Sequence, residues 1–290
     1  MRKIKQRILT GVVGIAFFVI VLFFSDTLIL SAAVGILGVI AIWEIFSALK
    51  CTDHLALLVS SGVFALAVPF FKTPYWDLPA QVVCFAYLLC VVIIMLVEKY
   101  DLELRQVAVV FMITLIVPFS LSSLIYIEGL QRSGAVRWAG YDGAFVIALA
   151  AIGAWGSDGG AYFIGVFFGK HKLAPSISPH KTWEGAVGGF VCCIALSLLA
   201  AYLYGTFALP AGARINLFAV LGLAVLAPFA AVAGDLWMSL IKRENQIKDF
   251  GNIIPGHGGV LDRFDSFMLV APLTYLYVLT TAPYFPLISR

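Results

Sequence analysis

The chain has 290 residues, 62% of them hydrophobic and only 12% charged, with a formal net charge of +3 at pH 7. Length alone would allow two soluble domains, but a mean hydropathy of +1.00 leaves too few charges to cover a globular surface, which excludes that class and points to a polytopic membrane protein. The small positive charge follows from where the lysines and arginines fall and gives no reason to invoke nucleic acid.

In chain order, apolar runs long enough to cross about 30 Å of hydrocarbon, about 20 residues each, fall at 8–24, 28–49, 55–70, 81–97 and 106–127, then at 144–169, 184–204, 216–240 and 262–282. These runs predict an all-α protein, a bundle of about nine transmembrane helices. The first run follows "MRKIKQR", which has a signal peptide's basic start, but its apolar core is too long and no small-residue cleavage site closes it. A retained helix is expected there. With the N-terminus inside, fourteen of the 19 lysines and arginines lie in inner segments, and only Lys72, Arg132, Arg137, Arg214 and Arg290 lie outside. That bias places the N-terminus in the cytoplasm and the C-terminus outside a cell's inner membrane.

Up to about residue 140 the polar connections are short. The exception is Glu44 in "IWEIF", near the cytoplasmic end of the second run. Two readings stand side by side: a functional intramembrane acid, or a glutamate that reaches the headgroups beside Lys50. The five cysteines, Cys51, Cys84, Cys90, Cys192 and Cys193, lie in or beside apolar runs without CxxC spacing, and read as small buried hydrophobes. His54 and His171 read as interfacial residues.

The second half differs. "WGSDGGAYFIGVFFGKHKLAPSISPHKTWEG" and "GDLWMSLIKRENQIKDFGNIIPGHGGVLDRFDS" gather charges and glycines on the cytoplasmic side. One membrane domain is expected over 1–290, with N-terminal helices over 1–140, catalytic helices over 141–290, and cytoplasmic loops at 170–183 and 243–261. Charges avoid the bilayer unless paired or in a wet cavity, so Asp158, Asp235, Asp262 and Asp265 must face protein or water. Asp235, Ser239, Lys242 and Arg243 recur at i, i+4, i+7 and i+8, one helical face with an acid below two cations. Asp262, Asp265 and Ser266 recur at i, i+3 and i+4 where the last run begins. A helix cap by Asp262 is the plain alternative, yet several carboxylates converging on a basic mouth need a cation between them.

The remaining pieces suit phosphates. Gly251, Gly256, Gly258 and Gly259 let backbone N–H groups approach an anion, and Lys248 adds a charge. "SPHKT" is expected to start the seventh helix, with Ser178 as N-cap and Pro179 in the first helical position, leaving Lys181 and Thr182 as donors. His257 suits either a phosphate contact or turn packing. "GVFFGKH" lacks Walker spacing, and Gly165 and Gly169 read as a helix-packing pair. Carboxylates for a divalent metal beside lysine, arginine and glycine-rich backbone describe nucleotidyl or phosphoryl transfer. A site at the inner membrane surface allows one soluble nucleotide substrate and one lipid.

The run "SLIKRENQIKDFGNIIPGHGGVLDRFD", with its serine, Lys-Arg, Lys-Asp, His-Gly-Gly and Asp-Arg-x-Asp at fixed spacing, resembles the signature of the phosphatidate cytidylyltransferases, the CDP-diacylglycerol synthases. "GDLWMS", the upstream glycine-rich segment and Glu44 after Trp43 are also similar to that family's pattern. The resemblance implies a bundle of membrane helices, a homodimer in the lipid bilayer, and the reaction of CTP with phosphatidate to give CDP-diacylglycerol and pyrophosphate. It implies a Mg2+ requirement and leaves open a second metal or a monovalent cation. On this reading Asp235, Asp262, Asp265 and Asp158 are metal ligands; Ser239, Lys242, Arg243, Arg263 and Asp265 carry catalysis; and Ser178, Lys181, Thr182, Lys248, His257, Gly258 and Gly259 hold substrate phosphates.

An ion-coupled secondary transporter using Asp158 and Asp235 as a relay is the alternative from another class. It leaves the glycine and lysine loop unexplained, and no inverted repeat is visible. The aspartate signature of the CDP-alcohol phosphotransferases is absent.

Overall fold

The computed structural model describes the whole chain except residues 1, 25–26, 74–75, 78, 99–102, 139, 255–257 and 290. It is built of helices: α1 Arg2–Phe23, α2 Leu28–Ala48, α3 Leu55–Ala67, α4 Ala80–Glu98, α5 Leu104–Arg132, α6 Asp142–Ala151, α7 Ser157–Phe168, α8 Trp183–Phe207, α9 Leu217–Glu244, α10 Leu261–Phe264 and α11 Phe267–Thr281. Among the described residues six helical stretches are long and apolar enough to cross a membrane: Leu28–Ala48, Ala80–Glu98, Leu104–Arg132, Asp142–Phe168, Trp183–Phe207 and Leu217–Glu244. Two shorter apolar helices, Leu55–Phe70 and Phe267–Thr281, accompany them. Seven of the nine apolar runs of the sequence fall on these stretches, the last falls on one of them in part, and the first falls on α1; a chain that leaves water satisfies its backbone most simply by helical hydrogen bonds.

Six short strands form three antiparallel ribbons: β1 Lys72–Thr73 with β2 Trp76–Asp77, β3 Lys172–Ala174 with β4 Ser178–Thr182, and β5 Arg214–Ile215 with β6 Ile288–Ser289. Two compact units can be distinguished, one of Met1–Ile125 with Glu244–Phe264, the other of Tyr126–Arg243 with Asp265–Arg290.

In the first unit α2 and α3 lie close because both contact faces are small: a Cβ on Gly35 would stand 3.1 Å from the carbonyl of Leu66. Phe64 stacks on Tyr87 with centroids 4.5 Å apart, and Tyr87 stacks on Phe111 at 5.6 Å. The Tyr87 hydroxyl is 2.8 Å from Ser61 Oγ, so this aromatic column buries no orphaned phenol. His54 Nδ1 lies 2.7 Å from Glu98.

In the second unit the closest packing is between α7 and α8. A Cβ on Gly189 would stand 2.7 Å from the carbonyl of Ser157, and one on Gly185 would stand 2.8 Å from that of Ala161. Gly165 faces Thr182 and Gly185, so the glycine pair of the sequence is a packing face. Between α6 and α7 the helix widens into a π-helical turn, Ile152–Gly156, the usual result of one extra residue in an α-helical ladder. Trp155 projects from this turn onto Phe267, with centroids 4.7 Å apart.

Two expectations are corrected. "SPHKT" does not begin a helix: it is strand β4, paired in the register Lys172↔Thr182 and Ala174↔Ser178. Pro179 fits this ribbon because a two-stranded sheet has open edges where a missing N–H costs nothing. The N-cap of α8 is Thr182, not Ser178; its side chain accepts from the Gly185 N–H at 3.1 Å. Nor is the last apolar run one continuous helix, since α10 ends at Phe264 and α11 starts at Phe267. Asp262 therefore does not cap α11.

Candidate active site

On α9 the helical spacing does what the sequence suggests. Ser239 Oγ donates to Asp235 Oδ1 at 3.2 Å, one turn back along the helix. The other carboxylate oxygen, Oδ2, lies 2.5 Å from Lys181 Nζ, which reaches it from β4. Lys181 is positioned by its ribbon. Arg243 clamps that ribbon to α9 by donating from Nε to the carbonyl of Ile177 at 3.3 Å. Lys242, one turn beyond Ser239, is buried, with its ammonium 3.9 Å from Asp265.

Asp265 reaches the same cluster because Gly234 allows it. A Cβ on Gly234 would stand 2.7 Å from the Asp265 carbonyl, so any side chain there would push the α10–α11 junction away from α9. Asp265 Oδ1 accepts the Ser266 N–H at 2.9 Å, and Asp265 lies within Coulombic range of Asp235, Asp158 and Lys242. Asp158 stands in the first turn of α7, directly after the π-helical turn. Ser178 is half-buried on β4, and Thr182 is buried.

A second arrangement lies within the first unit. Asp262 is buried, and its Oδ2 accepts two backbone N–H groups, from Phe250 at 2.9 Å and Gly259 at 3.0 Å. Glu44, 1% exposed, accepts the N–H of Val260 on Oε1 and that of Leu261 on Oε2, both at 2.8 Å. Gly258 has φ +84°, a left-handed conformation that glycine adopts without strain, and its backbone pairs with Ile254. The Gly259 amide is thus committed to Asp262. Arg263 and Lys248 are exposed. His257 and Gly256 lie outside the described residues.

Among the described residues no three His, Cys, Asp or Glu side chains close into a group that could hold a metal ion. Asp235 and Asp265 face lysines instead. The donor chemistry of the second unit nevertheless suits a hard divalent cation: carboxylates of Asp158, Asp235 and Asp265 and the hydroxyl of Ser239 are all oxygen ligands. Among the described residues Ser266 Oγ, fully buried, has no hydrogen-bond partner.

A profile of the Cytidylyltransferase family matches residues 5–281. The chain belongs to that family. Among its relatives, a Haemophilus influenzae protein named phosphatidate cytidylyltransferase is 32% identical over 289 residues, covering 94% of this chain and 98% of its own. The protein of the same name from Bacillus subtilis is 32% identical over 284 residues, covering 95% and 97%. That from Staphylococcus aureus is 32% identical over 276 residues, covering 93% and 96%. The resemblance carried by the polar motifs of the second half thus extends along almost the whole chain.

Nucleotidyl transfer requires neutralisation of phosphate oxygens and little covalent chemistry from the protein. Lys181 and Lys242 each stand beside a carboxylate, of Asp235 and Asp265 respectively. Sequence reasoning singled out both. It noted Ser266 by its spacing but not its buried hydroxyl, and did not single out Glu184, whose carboxylate accepts the backbone N–H groups of Lys170 and His171 at 3.1 and 3.2 Å and lies 2.5 Å from His171 Nδ1. It also named Glu44 without a partner, since Val260 lies 216 positions away. The thiol of Cys51 is buried in the α2–α3 connection and pushed up to about 11 by loss of hydration, which keeps it protonated and inert.

Proposed function

We propose that this protein transfers the cytidylyl group of CTP to phosphatidate, giving CDP-diacylglycerol and pyrophosphate for phospholipid synthesis. The observation that carries the reading is full-length similarity to proteins named phosphatidate cytidylyltransferase. An oxygen of the phosphatidate phosphate attacks the α-phosphorus of CTP. The bond from that phosphorus to the bridging oxygen breaks, and pyrophosphate leaves with the electron pair. Phosphatidate is already anionic near neutral pH, so no strong base is needed, and rate enhancement rests on positioning and charge neutralisation.

In this reading Lys242, Arg243 and Arg263 neutralise the phosphates, Ser239 donates to a phosphate oxygen, and Lys181 holds Asp235 while presenting its own charge. Ser178, Thr182, Lys248, His257, Gly258 and Gly259 line the approach of nucleotide or lipid phosphate. Asp235, Asp265, Asp262 and Asp158 are the carboxylates that would hold Mg2+, which when bound supplies charge neutralisation for the triphosphate. In the same reading the protein is a multi-pass dimer of the inner membrane with about nine spans per chain, and the lysine and arginine bias supports a site that faces the cytoplasm. An ion-coupled transporter would leave the family membership unexplained.

The test is transfer of radiolabelled cytidine from CTP into lipid by the purified protein in phosphatidate-containing micelles. Lipid-soluble product that requires phosphatidate, is abolished by EDTA and is restored by Mg2+ is the expected outcome. Absence of product from folded, lipid-supplied protein would overturn the reading.

A further inference from the structure

Glu44 lies outside the carboxylates assigned above to metal or substrate, yet it is among the most constrained side chains of the first unit. It is the one charged residue of α2, Leu28–Ala48, and it is 1% exposed. A carboxylate moved into such surroundings loses its hydration and persists only if strong donors replace water. The donors here are backbone amides: Val260 N–H to Oε1 and Leu261 N–H to Oε2, each at 2.8 Å. One oxygen serves one amide, which fixes both the position and the rotation of the peptide pair.

The surrounding chain is cut to fit that carboxylate. A Cβ on Gly251 would stand 2.5 Å from Glu44 Oε1, and a Cβ on Gly259 would stand 2.7 Å from both oxygens. Neither position has room for a side chain. The two amides that Glu44 holds are those immediately before Asp262 and Arg263, and Asp262 in turn gathers the amides of Phe250 and Gly259. The described parts of this loop, 249–254 and 258–262, therefore meet two buried carboxylates, Asp262 from the loop's end and Glu44 brought from α2.

We infer that Glu44 is a positioning residue: its bidentate grip on the Val260 and Leu261 amides sets the geometry from which Asp262 and Arg263 act. The kinetic consequence rests on the proposed cytidylyltransferase reaction, whereas the anchoring itself does not. Glutamine retains one acceptor oxygen and alanine none, so the effects should fall in the order Glu44→Ala greater than Glu44→Gln.

The experiment pairs hydrogen–deuterium exchange with kinetics on purified full-length protein. In Glu44→Gln and Glu44→Ala, amides of residues 258–264 should exchange faster while those of α8 and α9 stay at the wild-type rate. Per folded molecule, cytidylyl transfer should fall about 10- to 100-fold, as for loss of an outer-shell partner of a functional side chain, with the Mg2+ concentration for half-maximal rate raised. Gly251→Ala keeps the Glu44 side chain and crowds its carboxyl group from the other side; it should reproduce both signatures, which separates anchoring from a folding requirement for the acid. Wild-type exchange over 258–264 in Glu44→Ala would overturn the inference, as would activity lost only in proportion to folded protein with kcat and the Mg2+ dependence unchanged. Failure of the wild-type protein to make lipid product would remove the proposed reaction and leave the exchange result to decide the anchoring.

Discussion

Lys181 and Asp235 meet at 2.5 Å with each side chain about one fifth exposed, a contact strong enough to order both and open enough for a substrate to compete for either. Replacing Lys181 by methionine keeps the bulk and leaves Asp235 with Ser239 alone. A lost charge-assisted hydrogen bond is worth about 1.5–3 kcal/mol, so kcat/KM for CTP should fall about 10- to 100-fold in a lipid-product assay while the thermal midpoint changes little. Thr182 separates differently. Thr182→Ala removes the cap of α8 and should lower stability by about 1 kcal/mol, read as a lower unfolding midpoint in detergent, whereas Thr182→Ser retains the acceptor oxygen and should recover most of it.

At the scale of elements, the α7–α8 pair depends on backbone approach. Gly189→Ala sets a methyl group 2.7 Å from the Ser157 carbonyl and should cost about 1–3 kcal/mol through overpacking. Gly62→Ala in α3, with nothing within 4 Å of the added carbon, should be neutral or stabilising by up to about 1 kcal/mol. Thermal unfolding of the two variants side by side checks the contrast. Helices were legible in the sequence because a run of apolar residues admits one solution in lipid. The β3–β4 ribbon was not, because "SPHKT" offers Ser and Pro in the order a helix start uses, and only pairing with Lys172–Ala174 decides otherwise. The break between α10 and α11 was equally hidden: Asp262, Asp265 and Ser266 have helical spacing, but the chain bends at Asp265 where Gly234 admits its backbone. The α9 face was legible in full, since Asp235, Ser239 and Lys242 belong to one uninterrupted helix.

For the whole molecule, the asymmetry of lysine and arginine sets the expected orientation: N-terminus and the loops at 170–183 and 243–261 on the cytoplasmic side, C-terminus on the other. Single cysteines introduced at Lys248 and at Ser289, in a background with the five native cysteines replaced, should react oppositely with a membrane-impermeant maleimide applied to intact cells. Ser289 should label, and Lys248 should label only after permeabilisation. Charge statistics reach this far because they report on the chain as it enters the bilayer. They say nothing of which buried acid meets which amide, a matter of contacts such as Glu44 with Val260 across 216 positions.

The π-helical turn at Ile152–Gly156 makes the length of the α6–α7 span, as well as its composition, a heritable property. Each residue of an α-helix turns the chain by about 100° and advances it by about 1.5 Å. A residue excised from regular α-helix beside that turn, within 143–151, would carry Asp158 about a quarter of the way round the axis relative to the start of α6, whereas excising the turn's own extra residue would restore a regular ladder with far less rotation. A single-codon deletion within 143–151 is therefore expected to silence the enzyme while leaving a helix of good hydropathy, and one within 152–156 to be better tolerated.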